Sequence, residues 1–187
     1  MIPMKNKKQN LAITIEEMRN FASVYIEKYA PSKQQLKTYL LKKYLKSYIS
    51  SIKKKDIIDL INLVTEDLEK AKFINDKFYS ESKAKNLIQR GSSINKIKNY
   101  LISKGIKDKY IKETINKIKD KNEDQDFFSA IKICKRKRIG PAREQDNRSL
   151  FYKKDISILA RSGFDFETSK KVMDIEKDDY LRIVNFL

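Results

Sequence analysis

Gly91-Ser92-Ser93-Ile94-Asn95-Lys96-Ile97-Lys98-Asn99-Tyr100-Leu101-Ile102-Ser103-Lys104-Gly105-Ile106 is the stretch that decides the fold. It opens with a turn and a serine at an N-cap position. It runs through a helix whose apolar face is Ile94, Ile97 and Leu101, and it stops at Gly105, where a left-handed residue ends a helix. Upstream, Ala30-Pro31-Ser32-Lys33-Gln34-Gln35-Leu36-Lys37-Thr38-Tyr39-Leu40-Leu41-Lys42-Lys43 is a worn copy. Downstream, Ile156-Ser157-Ile158-Leu159-Ala160-Arg161-Ser162-Gly163-Phe164 preserves the end of another. Leu40 and Leu101 are 61 residues apart, Leu101 and Leu159 are 58 apart, and Gly105 and Gly163 keep the second offset. A recurring unit of this kind buries its apolar face on itself and on its neighbours. The chain is therefore expected to be all-α, with three tandem three-helix repeats, and its function is expected on an extended surface.

Working outward, the boundaries are a flexible basic tail over 1–13 and repeats over 14–71, 72–121 and 122–187, the last with a C-terminal turn. Thr14, with Glu17 three residues on, predicts a capping box opening the first helix, and Pro31 closes it. Ser32 caps a second helix. Asp56 is expected to cap a third that buries Ile57, Leu60, Ile61, Val64 and Leu68, after a polar connection over 47–55. In the second repeat, helices open at Asp76, Ser93 and Asp108. In the third, a helix carrying Phe127, Ile131 and Cys134 ends in Lys135-Arg136-Lys137-Arg138. A long loop is expected over 139–147, then a helix with Tyr152, Ile156 and Leu159 on one face. Short final elements hold Val172, Met173, Tyr180 and Val184. Four glycines and three prolines in 187 residues fit helices joined by short turns.

Hydrophobic residues are 40% of the chain, enough for a core. No apolar run reaches the ~18 residues of a membrane span, and the basic start has no apolar stretch behind it, so it does not read as a secretory signal. A lone cysteine, Cys134, permits no internal disulfide and fits a reducing cytoplasm. With 42 Lys+Arg against 25 Asp+Glu, the formal charge is +17. That points to an anionic partner, although the excess of Lys, Ile and Asn is also what an AT-rich genome produces.

Catalysis has little support. The chain has no histidine and no phosphate loop, and Cys134 lies on an apolar stripe. Glu123-Asp124-x-Asp126 reads as helix-start acids rather than a metal site, and no cofactor is implied. The strongest binding candidate is the cationic run Lys135, Arg136, Lys137 and Arg138. Arg143, Arg148, Lys153, Lys154 and Arg161 follow it closely, and five arginines fall between 136 and 161 in a lysine-dominated chain. The guanidinium fork suits carboxylates and phosphates. Arg90, Lys96, Lys98 and Lys104 could extend the surface, and Tyr152 beside Lys153-Lys154 is the one candidate for base stacking. No helix carries an evident set of base-reading side chains, which disfavours sequence-specific DNA recognition.

Three places resemble the RecX family, bacterial regulators of the RecA recombinase. They are Phe73-Ile74-Asn75-Asp76-Lys77-Phe78, then Arg90 through Ile97 with Leu101 and Lys104-Gly105-Ile106, and then Arg161-Ser162-Gly163-Phe164-Asp165-Phe166 continuing to Lys171-Val172-Met173. The matches are spread over roughly residues 20–175 in the family's order. Departures are Lys43-Tyr44-Leu45 where a glycine is usual, Ser162 in place of a basic residue, and Ser169 in place of an aliphatic one. The resemblance implies an elongated, curved array of the three repeats. It also implies a non-enzymatic partner of RecA, and of the RecA–single-stranded DNA filament, that limits filament growth, ATP hydrolysis and strand exchange in DNA repair and recombination. Weak direct DNA contact and a monomeric state are expected with it. The alternative is a helical nucleic-acid-binding module that acts without RecA.

Overall fold

The computed structural model describes residues 13–46 and 53–187. The tail expected over 1–13 lies, apart from Ile13, outside the described residues, as does most of the connection expected over 47–55. Among the described residues the chain is all-α. It has α1 (Ile15–Tyr29), α2 (Lys33–Lys46), α3 (Lys54–Lys70), α4 (Asp76–Gln89), α5 (Ile94–Ser103), α6 (Asp108–Lys121), α7 (Gln125–Lys137), α8 (Gln145–Arg161), α9 (Phe166–Met173) and α10 (Lys177–Phe186). A 3-10 turn, Gly140–Ala142, separates α7 from α8. Contacts divide the chain into two units. One runs up to Tyr79 and includes Lys104–Ile106; the other is Ser80–Ser103 with Lys107–Leu187.

In the first unit, α1, α2 and α3 pack on one another. Their core is Met18, Ala22, Leu36, Leu40, Tyr44, Ile57, Ile61, Val64 and Leu68, closed by Ile74. The Thr14 hydroxyl accepts from the Glu17 N–H at 3.2 Å, as its spacing predicts. Ala30 turns left-handed (φ 40°) ahead of Pro31 and ends α1. Asp56 is not the cap of α3: the helix begins at Lys54 after Lys53, so Asp56 sits in the first turn, where its charge favours the helix dipole. With no glycine to stop α2, the helix continues past Lys43 and buries Tyr44 completely. Tyr25 and Tyr39 stack at 4.0 Å between centroids, joining α1 to α2.

The second unit has its core under α7, α8 and α9, from Ala130, Ile131, Ile133, Cys134, Ile139, Leu159, Phe164, Val172, Met173 and Tyr180. Here α10 is a full helix of ten residues rather than the turn expected, and Tyr180 locks it against α7.

One hydrogen-bonding pattern occurs once in each unit. In the first, Ser32 Oγ accepts from the Gln35 N–H at 3.2 Å and donates to the Lys104 carbonyl at 2.7 Å, while Asp76 Oδ1 accepts from the Lys33 N–H at 2.8 Å. In the second, Ser93 Oγ accepts from the Lys96 N–H at 3.1 Å and donates to the Ser162 carbonyl at 3.0 Å, while Asp126 Oδ1 accepts from the Ile94 N–H at 2.8 Å. Each serine thus caps a helix and also holds the carbonyl just before a left-handed glycine. Those glycines are Gly105 (φ +70°) and Gly163 (φ +91°). A β-carbon on Gly105 would lie 2.4 Å from Gln34 Cβ, and one on Gly163 would lie 2.4 Å from Ser93 Oγ. The sequence offsets of 61 and 58 therefore correspond to a repeated joint.

Candidate anion-binding surface

Residues Lys135, Arg136, Lys137 and Arg138 end α7, all exposed. Four cations follow one another here because a helix C-terminus favours positive charge. Arg138 is left-handed (φ 54°), and the Ile139 N–H returns to the Cys134 carbonyl at 3.2 Å, which closes the helix end. Arg136 Nη1 donates to the Arg90 carbonyl at 3.0 Å. The structure thus brings exposed Arg90, at the end of α4, beside the end of α7. Lys96 lies by the end of α8, with its Cβ 3.5 Å from the β-carbon position of Gly163, two residues beyond exposed Arg161. Lys98 is exposed on α5, and Lys153 and Lys154 are exposed on α8. Lys104 belongs to the first unit, where its carbonyl accepts from Ser32.

Arg143 and Arg148 are engaged within the protein. Arg143 grips Asp155 with both edges of its fork, Nε to Oδ2 at 2.6 Å and Nη2 to Oδ1 at 2.9 Å. Its guanidinium lies 4.4 Å from the Phe151 ring centroid. Arg148 Nη2 donates to the Met173 and Ile175 carbonyls, both at 2.7 Å, satisfying the end of α9. The segment expected as a loop over 139–147 is accordingly ordered. Gly140–Ala142 forms the 3-10 turn, α8 begins at Gln145, and Lys177 Nζ donates to the Arg143 carbonyl at 3.1 Å. The stacking candidate Tyr152 is half-buried on the second core, and its hydroxyl meets Asp174 at 3.2 Å, so it is no free platform.

Reading the sequence missed Asp155. It is 0% exposed, and its Oδ2 also accepts from the Gly140 N–H at 2.8 Å. Burial alone would push its carboxyl up. The Arg143 guanidinium and the Gly140 N–H outweigh that and hold it below the usual carboxylate range. The missed signal was the register. The 61 and 58 offsets align Asp155 with Ile97 and Leu36, both 0% exposed, so an acid occupies a core position of the third copy.

Among the helix-start acids of α7, Asp126 serves the joint and Asp124 pairs with Lys171 at 3.2 Å. Burial is the main influence raising the Asp126 carboxyl, against the Ile94 N–H. No helix among the described residues is long and apolar enough to cross a membrane.

No family model matches the chain, and no solved structure matches it. The regulatory protein RecX of Myxococcus xanthus (strain DK1622) is 29% identical to it over 160 residues, covering 84% of this chain and 84% of that relative.

Proposed function

We propose that this chain is a RecX-type regulator that binds the RecA recombinase and its filament on single-stranded DNA. It acts without catalysis or cofactor, as a cytoplasmic monomer, and inhibits filament extension, ATP hydrolysis and strand exchange. The observation that carries this reading is the similarity to a RecX regulatory protein along 84% of both chains. The recurrent serine–aspartate–glycine joint supports three tandem units over 14–71, 72–121 and 122–187 as the scaffold.

The contact surface proposed is the set of exposed cations, with Lys135, Arg136, Lys137 and Arg138 at its centre, Arg90 beside them, and Lys96, Lys98, Lys153, Lys154 and Arg161 extending it. Lys104, half-buried in the first unit, is a separate contact candidate. Arg143 and Arg148 support this surface from within. Cations at helix ends suit acidic protein surface or the phosphates of filament-bound DNA.

Reversing Lys137 and Arg138 to Glu tests the assignment. The helical circular dichroism should be unchanged, and inhibition of the RecA single-stranded DNA-dependent ATPase should weaken by about tenfold or more, since losing charged contacts costs more than ~1.4 kcal/mol. Undiminished inhibition overturns the placement of the surface. Tight binding to DNA alone, with a log–log salt slope near −3.5 for about five phosphates, would instead favour a nucleic-acid module.

A further inference from the structure

A charged side chain fully buried at a core position is expensive unless it is paired and hydrogen-bonded. In the third copy that position holds Asp155, whereas its counterparts are Leu36 and Ile97. The third copy is also the one whose turn carries the cationic run and the segment 138–144. Both oxygens of Asp155 reach into that segment: Oδ2 takes the Gly140 N–H at 2.8 Å and Arg143 Nε at 2.6 Å, and Oδ1 takes Arg143 Nη2 at 2.9 Å. Gly140 is two residues from Arg138. The main chain of Arg143 is held in turn by Lys177 of α10. The acid and the cationic segment therefore form one device: a core helix, α8, reaches out through a single carboxylate to fix the chain between the end of α7 and its own start.

We propose that Asp155 is the positioning residue of the cationic surface, fixing the chain that leaves α7 at Arg138 by pinning Gly140 and Arg143. This rests on reading the cationic run as the contact surface. Asp155 touches no partner itself. Its role is to remove in advance the ordering cost that a loose segment after α7, bordering the cations, would meet on binding.

Two variants separate pinning from mere support of the core. Asp155→Ile restores the residue type of the equivalent Ile97 and abolishes both pins. Asp155→Asn keeps an acceptor for the Gly140 N–H and weakens the Arg143 grip. The Gly140 amide should lose about 100-fold of its hydrogen-exchange protection in Asp155→Ile and less in Asp155→Asn, given the worth of a buried hydrogen bond to a charged group. The amides of Ile131 and Leu159 should stay protected in both. RecA ATPase inhibition should follow Gly140 protection, strongest in the parent, intermediate in Asp155→Asn, and weaker by about tenfold in Asp155→Ile. A purely structural role predicts instead that inhibition follows the unfolding midpoint, with the apolar variant no worse than the amide. That ordering, or an unchanged Gly140 amide in Asp155→Ile, overturns the proposal. If the parent chain leaves RecA unaffected, the contact reading and the positioning role fall together, while Gly140 exchange still decides whether Asp155 pins the segment.

Discussion

Substituting Gly163 by alanine strikes the second joint in three ways. Its φ of +91° is a conformation that L-residues adopt at a cost of ~1–2 kcal/mol. The new methyl would stand 2.4 Å from Ser93 Oγ, so one of them must move. Ser93 Oγ is fixed by two hydrogen bonds, from the Lys96 N–H at 3.1 Å and to the Ser162 carbonyl at 3.0 Å. Displacing it forfeits a helix cap and a hydrogen bond, each worth about 1 kcal/mol. Gly163→Ala should therefore destabilise the second unit by about 3 kcal/mol. Ser93→Ala alone removes the cap and the bond but not the backbone, at about 2 kcal/mol. It also removes the atom with which the methyl collides, so the double variant should fall short of the sum by about 1 kcal/mol or more. Urea unfolding followed by far-UV circular dichroism, on all three variants and the parent, gives the cycle. A Gly163→Ala change within about 0.5 kcal/mol of the parent, the range of an ordinary surface substitution, would refute the joint; so would strict additivity.

Gly105→Ala at the first joint should be at least as costly, because its methyl meets Gln34 Cβ, an atom fixed to the α2 backbone, and urea unfolding measures it in the same way. Asp155 gives a pH signature. Its folded value lies below the unfolded one of about 3.9, so its stabilisation is complete above about pH 5 and is lost as pH falls through the folded value. The stability difference between the parent and Asp155→Asn should be flat from neutrality to that point and shrink below it, and a difference that grows in acid contradicts the sign. Ser169 is fully buried and its hydroxyl has no hydrogen-bond partner. Ser169→Ala should therefore raise stability by about 1 kcal/mol in thermal or urea unfolding, and a loss would show that the hydroxyl is satisfied. The Cys134 thiol is pushed up to about 12, chiefly by burial and then by Asp155, so iodoacetamide should alkylate the native chain at least about 100-fold more slowly than the urea-unfolded one by mass spectrometry.

What could be read in advance was the local code. Thr14, Ser32 and Ser93 cap helices because a hydroxyl three residues from an N–H needs only its own backbone to act. Gly105 and Gly163 end helices for an equally local reason. The same code misplaced the start of α3, since Asp56 suits a cap and a first turn equally well. It left 139–147 as a loop because the partners that order that segment lie outside it: Asp155 from α8 and Lys177 from α10. Arg143 and Arg148 counted as free charge in a list of cations. Only the fold reveals that one neutralises a buried acid and the other closes a helix end. The repeated register held the missing clue, an aspartate aligned with Leu36 and Ile97. The second use of Ser32 and Ser93, as donors to carbonyls 72 and 69 residues away, lies beyond any local pattern.

A regulator of the proposed kind acts on RecA through a basic surface held on a helical scaffold. Titrating the protein into RecA bound to single-stranded DNA, with ATP hydrolysis as the readout, tests this claim most directly. Inhibition should appear at substoichiometric amounts and should recede when Lys137 and Arg138 are reversed to Glu. An ATPase rate that stays unchanged up to a clear molar excess of the folded protein over RecA would contradict the claim.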